Sequence, residues 1–282
     1  AFDALINDTA LFAYWDVTAV NGGVYSDGAS STPFEFSNIE YLLGDIDDDI
    51  FTLNVGTQIT GYIDGGGSVI GDILVGQGAV GHDTMHLRPG ELTFNGLTTE
   101  FLDIEDIRMF GEDGMDRFIL HFSTGNPVPI LGVSIDGGMG MDRLNVVGSA
   151  GKDVFRLLSS QLRVNTGAIN FLELEHILIL AGQGNDIFDA RAVNYQPGLM
   201  QVRFYGQHGN DLIVVGPSAT TSFYVHGGAP HRPAFPGDAM YFVNTGQVIK
   251  KPVLLGNGGS NGLYNFLNRK SVLFVSIEMG IG

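Results

Sequence analysis

A stretch of twenty residues that occurs twice decides the fold of this chain. It reads FLDIEDIRMFGEDGMDRFIL at Phe101–Leu120 and FLELEHILILAGQGNDIFDA at Phe171–Ala190, seventy residues further on. A weaker copy reads FSNIEYLLGDIDDDIFTL at Phe36–Leu53. Each copy contains short apolar runs of alternating pattern separated by glycine turns, which is typical of β-strands. Repetition at a fixed period predicts a chain built from stacked units.

A shorter element recurs inside the long repeat, roughly Gly-x-x-Gly-x-Asp-x-apolar. Its aspartates are Asp49, Asp72, Asp83, Asp116, Asp142, Asp153, Asp186 and Asp211. Their spacings of 23, 11, 33, 26, 11, 33 and 25 residues are near multiples of about 11, which indicates half coils of 11 to 12 residues and full coils of about 23. We therefore predict an all-β fold, a parallel β-solenoid of the β-helix or β-roll type, with three coils in each repeat of roughly 70 residues.

The repeats divide the chain into four predicted segments. Residues 1–33 precede the first recognisable repeat, and their Trp15 indicates either a cap on one end of the solenoid or a subunit contact, of which the cap is favoured. Residues 34–225 carry the solenoid repeats. Residues 226–238, HGGAPHRPAFPGD, are predicted to form an inserted loop because their prolines and glycines suit neither helix nor strand interiors. Residues 239–282 are predicted to be degenerate C-terminal coils.

The composition restricts the partners of the chain. Acidic residues outnumber basic ones 31 to 14, and the formal net charge of −17 disfavours nucleic acid and anionic membranes and favours cations. Cysteine is absent, so neither disulfides nor thiolate metal sites hold the fold. No apolar run approaches the roughly 20 residues that span a bilayer, so membrane insertion is not expected.

One of the glycine turns resembles a known calcium-binding motif. GGMGMDRL at Gly137–Leu144 resembles the Gly-Gly-x-Gly-x-Asp-x-apolar nonapeptide of the repeats-in-toxin family, whose turns bind calcium in parallel β-rolls. AGQGNDIF at Ala181–Phe188 and YGQHGNDLI at Tyr205–Ile213 are similar to it, with one glycine lost or displaced. The family repeats every nine residues and this chain does not. The resemblance implies calcium held by turn carbonyls and aspartates of adjacent coils, which supply the oxygen ligands that calcium prefers.

The half-coil count selects the candidate calcium ligands. Three aspartate pairs lie one coil apart on one face and are the predicted sites: Asp49 with Asp72, Asp116 with Asp142, and Asp186 with Asp211. Asp47 and Asp48 join Asp49 in the densest acidic cluster, whose mutual repulsion a cation would relieve. Asp83 and Asp153 are predicted on the opposite face with no obvious aspartate neighbour, although Asp106 follows Asp83 by 23 residues. The alternative for every turn is that the aspartate accepts backbone hydrogen bonds and the glycine serves its backbone conformation alone.

The function expected from this pattern is structural or adhesive rather than catalytic. We expect an extracellular or cell-surface component of a fibre, surface layer or adhesin, which self-associates head to tail and contacts cell-surface polysaccharide. The alternative is a β-helix lyase or hydrolase of acidic polysaccharides, in which Asp47–Asp49 would supply the carboxylates. A carbohydrate-binding module without catalysis is a third possibility. A zinc site at His226, His231 and Asp238 is less favoured than a solvated loop.

Overall fold

The computed structural model describes residues 3–7, 12–27, 32–192, 194–229, 237–243, 253–254, 261–266, 268–277 and 279–281. The regular secondary structure in these ranges consists of β-strands, which confirms the all-β prediction. Within these ranges the chain therefore has no helix of the length and apolarity that a membrane span requires. The chain forms two compact units. The first comprises Ala1–Leu120 and Asn126–Asp142, and the second comprises His121–Gly125 and Arg143–Gly282.

The strands of the first unit are short and closely spaced. They are β1 (Ala4–Ile6), β2 (Ala13–Ala19), β3 (Gly22–Asp27), β4 (Phe34–Ser37), β5 (Tyr41–Leu43), β6 (Ile50–Asn54), β7 (Tyr62–Asp64), β8 (Ile73–Gln77), β9 (Thr84–Arg88), β10 (Glu91–Phe94), β11 (Leu97–Leu102), β12 (Asp106–Phe110), β13 (Asp113–Gly114), β14 (Arg117–His121), β15 (Gly132–Asp136) and β16 (Met139–Gly140). Within this unit one sheet has the order β1-β5-β7-β11-β10-β9-β14, and the other has the order β15-β12-β8-β6-β2-β3-β4.

The second unit repeats this arrangement. Its strands are β17 (Arg143–Val147), β18 (Val154–Leu157), β19 (Gln161–Val164), β20 (Gly167–Leu172), β21 (His176–Leu180), β22 (Ile187–Ala190), β23 (Gln201–His208), β24 (Leu212–Val215), β25 (Ser222–Ala229), β26 (Ala239–Phe242), β27 (Val253–Leu254), β28 (Gly262–Tyr264), β29 (Val272–Val275) and β30 (Met279–Ile281). Within this unit the sheets have the orders β17-β21-β23-β25-β29-β28-β27 and β20-β19-β18-β22-β24-β26-β30.

In both units the chain alternates between the two sheets. We call one passage through both sheets a circuit. Parallel partners on successive circuits include Gln201 with Ser222, Ile50 with Ile73, and Leu212 with Ala239. The sequence separations of these pairs bracket the predicted coil length. Parallel pairing of buried strands fits their apolar sequences, because such strands are covered on at least one face.

The long parallel runs agree with the prediction, but antiparallel meanders interrupt them, so the sheets are mixed. The strands β9-β10-β11 of the first unit and β18-β19-β20 of the second are antiparallel, as are β2-β3-β4 and β27-β28-β29. Ile73 pairs in parallel with Asp106, although the meander β9–β11 lies between them in sequence. The longest spacing in the motif series is therefore one circuit enlarged by a meander and not three half coils.

The long repeat also differs from its predicted content of three coils. From β9 the chain passes through the meander β9–β11 and then through β12, β14, β15 and β17 before it reaches the equivalent β18. These are five passages, which make two and a half circuits. The meander accounts for the difference, because its three strands all lie in one sheet and add residues without carrying the chain to the other sheet.

The core of each unit lies between its two sheets. In the first unit Trp15 is 1% exposed and stacks on Phe51 with ring centroids 5.5 Å apart. Trp15 is therefore a core residue of the first unit rather than an exposed contact. In the second unit Phe188 and Phe204, from opposite sheets, stack at 4.7 Å. Burial of these large rings drives association of the sheets.

The predicted loop at 226–238 is described only in part. His226 and Ala229 belong to the end of strand β25 (Ser222–Ala229). Residues 230–236, which include His231, lie outside the described residues. Asp238 is fully buried just before β26, so it is not part of a solvated surface loop.

Candidate functional site

The recurrent aspartates lie in the turns that carry the chain from one sheet to the other. The turn at 111–116 joins β12 to β14, and the turn at 181–186 joins β21 to β22. All eight of these aspartates are at most 6% exposed: Asp49, Asp72, Asp83, Asp116, Asp142, Asp153, Asp186 and Asp211. A buried carboxylate is costly unless hydrogen bonds or charges compensate for its lost hydration. The partners of these groups therefore decide what the turns do.

In the first unit the aspartate of one turn bonds the backbone of the preceding one. The Asp49 N–H donates to Asp72 Oδ1 at 2.7 Å, and the Asp72 N–H donates to Glu105 Oε2 at 2.8 Å. We call such a series of backbone-to-carboxylate bonds an aspartate ladder. Each bond joins two successive circuits, so the ladder ties turns that are distant in sequence.

A second ladder in the first unit connects Asp83, Asp116 and Asp142. The Asp83 N–H donates to Asp116 Oδ1, and the Asp116 N–H donates to Asp142 Oδ1, both at 2.7 Å. The prediction that Asp83 has no aspartate neighbour is wrong. It fails because the segment from Asp83 to Asp116 contains a meander and amounts to one circuit.

The third ladder lies in the second unit and has four aspartates. The N–H groups of Asp153, Asp186 and Asp211 donate to Oδ1 of Asp186, Asp211 and Asp238 at 2.7, 2.8 and 2.7 Å. Asp153 therefore also has an aspartate neighbour, contrary to expectation. Asp238, considered above only as a zinc ligand, is the last member of this ladder.

The structure brings together all three predicted pairs. Asp49 and Asp72, Asp116 and Asp142, and Asp186 and Asp211 are each joined directly by a ladder bond. The half-coil count missed two members, Glu105 and Asp238. Glu105 carries no glycine before it, and the segment before Asp238 is the one predicted to be an inserted loop, so neither was matched to the expected motif and spacing.

Asparagines bind the first aspartate of each ladder. Asp83 Oδ1 accepts from Asn95 Nδ2 at 2.6 Å, and Asp153 Oδ1 accepts from Asn165 Nδ2 at 2.7 Å. Both asparagines lie in the meanders. Asp49 Oδ1 accepts from Asn7 Nδ2 at 3.4 Å, near the limit for a hydrogen bond, and from the Ala13 N–H at 3.1 Å.

The second oxygen of each of these first aspartates is bonded within its own turn. The backbone N–H four residues earlier donates to Oδ2 in every case: Asp45 to Asp49 at 3.2 Å, Ala79 to Asp83 at 2.9 Å, and Ser149 to Asp153 at 2.6 Å. The first carboxylate of each ladder is thus hydrogen-bonded at both oxygens, as buried polar groups generally are.

Interior members of the ladders are different. Oδ2 of Asp72, of Asp116 and of Asp186 is buried and has no hydrogen-bond partner among the described residues. A glycine lies over this oxygen in the first two cases. A β-carbon on Gly65 would lie 2.7 Å from Asp72 Oδ2, and one on Gly111 would lie 2.5 Å from Asp116 Oδ2. The glycine leaves just enough room for the carboxylate.

The other glycine of the turn motif serves the stacking of turns. Gly114 lies on the carbonyl of Gly81, and Gly140 lies on that of Gly114, so closely that a β-carbon at either position would overlap the carbonyl oxygen. Gly209 lies on Gly184 in the same way. Because L-residues with a β-carbon cannot approach a backbone this closely, the motif needs glycine for contact between circuits and not for conformation alone.

Burial makes several of the ladder carboxylates poor acids. Desolvation raises the pKa of Asp72 to about 7, despite the hydrogen bond from Asp49, and the negative charge of Glu105 adds to the increase. Desolvation likewise raises the pKa of Asp49 and of Asp186 to about 6, and it raises the pKa of Asp116. A proton or a cation would relieve the buried charge on these ladders.

The three aspartates of the acidic cluster at 47–49 have different partners. Asp48 Oδ1 accepts from the N–H groups of Val69, Ile70 and Gly71 at 3.0, 2.7 and 3.0 Å, and these bonds, above all that from Ile70, lower the pKa of Asp48. Asp49 enters a ladder. Asp47 is half-buried and its N–H donates to Asp45 Oδ1 at 2.9 Å. None of the observed ladder bonds involves Asp47, so the structure does not group it with Asp49 and Asp72.

Calcium at the predicted pairs stays a prediction. In the part of the chain that the structure describes, no three histidine or acidic side chains form a group that could hold a metal ion. Calcium takes six to eight oxygen ligands. The buried Oδ2 atoms of Asp72, Asp116 and Asp186, which have no hydrogen-bond partner among the described residues, are the candidate carboxylate ligands for such an ion.

The fold and the site define an all-β protein with long parallel sheets, tied at its turns by aspartate ladders. Neither a protein-family model nor a curated protein matches the chain. Its function must therefore be argued from its own residues.

Proposed function

We propose that this chain is an extracellular or cell-surface structural protein, a β-solenoid scaffold whose circuits are held in register by aspartate ladders. The observation that carries the proposal is the recurrence of one bond, from a turn N–H to the aspartate of the next circuit, along three ladders. In this proposal the buried acids serve to hold successive circuits together. Parallel pairing of strands on successive circuits supports the solenoid.

The use of the carboxylates also favours a scaffold over a glycoside hydrolase or lyase. Two of the three acids in the densest cluster, Asp48 and Asp49, accept backbone hydrogen bonds. A hydrolase needs two carboxylates facing a common substrate, one of them as a proton donor. Incubation of the purified protein with polygalacturonate tests the alternative directly. Release of reducing ends or of unsaturated uronates would overturn the proposal, and an unchanged polymer is the expected result.

Calcium is the proposed counter-ion of the ladders. The support is the buried Oδ2 of the interior aspartates, which lacks a donor in Asp72, Asp116 and Asp186, together with the net charge of −17. An ion bound only by the folded state raises its stability by mass action. Thermal melts followed by circular dichroism, with calcium, with magnesium and with chelator, are expected to show a calcium-specific rise in midpoint. Equal midpoints in all three buffers would reduce the ladders to hydrogen-bonded turns.

Head-to-tail association of the scaffold follows from its strands. Among the described strands, β4 lies at the end of its sheet in the first unit and pairs with β3 alone. Unpaired strand edges recruit further strands. Sedimentation over a range of concentrations and electron microscopy are expected to show linear assemblies. A strict monomer at high concentration would contradict this part of the proposal.

A further inference from the structure

The outer face of one sheet in the second unit concentrates basic and aromatic side chains. Strands β17, β21, β23 and β25 pair in parallel there, and their register places side chains in rows across the strands. One row is Arg143, His176, Gln201 and Ser222; the next is Asn145, Leu178, Arg203 and Tyr224; the third is Val147, Leu180, Tyr205 and His226. We call the surface formed by Arg143, His176, Arg203, Tyr205, Tyr224 and His226 the arginine–tyrosine face.

The positive charge of this face is unusual for the chain. Arg143 and Arg203 are two of only 14 basic residues in a protein with 31 acidic ones. Both are exposed, and neither forms a salt bridge within the described residues, whereas Arg108 and Arg191 pair with Asp106 and Asp189 at 2.8 and 2.6 Å. The two arginines therefore present their charge to solvent.

The arginines border a shallow depression. It is small and open to solvent, and it is lined by Arg143, His176, Ile177, Leu178, Gln201 and Arg203. Arg203 Nε donates to Gln201 Oε1 at 2.6 Å, which orients the guanidinium. The terminal nitrogens remain available for the two oxygens of a carboxylate or sulfate, which a guanidinium binds as a fork. Partial burial lowers the pKa of His176, and the charge of Arg143 lowers it further, while the charge of Glu175 opposes the change.

Aromatic rings continue the face beside the arginines. Tyr205 lies 5.5 Å from Tyr224 and 5.7 Å from His226, measured between ring centroids, and the Tyr205 and His226 planes are 23° apart. Arg203 is directly opposite Tyr224 in the register. All three rings are half-buried. Rings of this kind offer an apolar surface with a polar edge, which suits the apolar face and hydroxyl groups of a sugar.

We propose that the arginine–tyrosine face binds an acidic polysaccharide, with its carboxylate or sulfate groups on Arg143 and Arg203 and its sugar rings along the row of Tyr205 and His226. The proposal rests on the proposed scaffold function, to which it adds the ligand. An extended polymer fits better than a small anion, because the residues span four strands about 4.8 Å apart. Two exposed arginines on a chain with a net charge of −17 suit a sugar polymer with widely spaced charges better than nucleic acid, whose phosphates are dense.

Binding is tested by isothermal titration calorimetry with three polymers on one backbone: dextran, carboxymethyl dextran and dextran sulfate. The wild-type protein is expected to bind both charged polymers and not dextran, with an affinity that falls as salt is added. Arg203→Gln is expected to weaken binding about tenfold or more, since it removes a charge-assisted bidentate contact. Tyr205→Leu is expected to weaken it severalfold.

Arg163→Gln is the matched control. Arg163 is exposed on the other sheet of the second unit, and its Nε donates to Gln161 Oε1 at 2.7 Å, the same contact that Arg203 makes. Its loss is expected to change the affinity less than twofold. Circular dichroism in the same buffer verifies that each protein is folded, so absent binding by a folded chain overturns this inference and leaves the scaffold proposal standing.

Three other results would also overturn it. Equal weakening by Arg163→Gln and Arg203→Gln would mean that charge is bound without a site. Equal binding of uncharged dextran would remove the role of the arginines. Tighter binding of a single-stranded DNA oligonucleotide than of either charged dextran would assign the face to another class of ligand.

Discussion

Replacing Gly184 by alanine tests the stacking of turns. Gly184 has φ of +117°, and a β-carbon there would lie 2.6 Å from the carbonyl carbon and oxygen of Gly151 and 2.9 Å from the Lys152 nitrogen. These neighbours are backbone atoms, so they cannot rotate away as a side chain would. The positive φ costs about 1 to 2 kcal/mol, and relief of the overlap costs about 1 to 3 kcal/mol more. Gly184→Ala should therefore lower the free energy of unfolding by about 2 to 5 kcal/mol, a large part of the roughly 5 to 15 kcal/mol of an ordinary domain.

Gly151→Ala is the matched control, because Gly151 holds the same place in the preceding turn. A β-carbon there would meet only Ser149 Oγ, at 3.8 Å, and its φ is not in the positive range. This variant should change stability by less than about 1 kcal/mol. Urea unfolding followed by circular dichroism measures both. Equal losses in the two variants, or no loss in Gly184→Ala, would refute direct stacking of the turns.

Three further predictions concern the ladders. Asp186→Ala should destabilise the protein by about 1 to 3 kcal/mol, because the buried Asp153 N–H loses its acceptor. Asp186→Asn keeps an acceptor and should cost less at pH 8 in chelator. A lower urea midpoint for Asp186→Asn than for Asp186→Ala would contradict the hydrogen-bonded ladder. The pKa is about 7 for Asp72 and about 6 for Asp49 and Asp186, above the unfolded value of about 3.9, so the folded state binds protons more tightly than the unfolded state. In chelator the urea midpoint should therefore rise as the pH falls from about 8 to about 5, and these groups should add no further stability below about pH 3.9. A urea midpoint that falls steadily on acidification would contradict this prediction. Asn165→Ala removes one donor from the buried Asp153 carboxylate and one acceptor from the Val154 N–H, and should cost about 1 to 3 kcal/mol. Asn170→Ala, whose side chain accepts an exposed bond from Gln161, should cost under about 0.5 kcal/mol, and comparable losses would argue against the anchoring role.

Much of the fold could be predicted because its period is written in the sequence. Alternating apolar residues such as those of Ile50–Asn54 became strands with alternating burial. Asp49 and Asp72, predicted from their spacing to lie one coil apart, are joined by a direct ladder bond. The period and the apolar pattern can both be read from the sequence without knowledge of tertiary contacts.

The sequence also carries a signal for the meanders, which the half-coil count does not use. Asn95 and Gly96 both have positive φ and form the tight turn between β10 and β11. Asn-Gly between apolar runs is a strong hairpin signal. Once the hairpin is recognised, the spacing from Asp83 to Asp116 is one circuit, and Asp83 joins the ladder.

Other parts of the site are not encoded in any local pattern. Glu105 enters a ladder through tertiary position alone, since no Gly-x-x-Gly precedes it. The split roles of Asp48 and Asp49 depend on which backbone N–H groups the fold delivers to each carboxylate. The arginine–tyrosine face depends on strand register, which places Arg203 opposite Tyr224 of the next circuit.

The central claim is that turn N–H groups bond the aspartates of neighbouring circuits, and hydrogen exchange measured by NMR tests it most directly. The amides of Asp49, Asp116 and Asp186 are buried and bonded to carboxylates, so they should exchange as slowly as amides in the central strands, although they lie in turns. Exposed turn amides such as that of Val80 provide the fast reference. Exchange of the three aspartate amides at the rate of Val80, in a protein whose strands remain protected, would contradict the ladders.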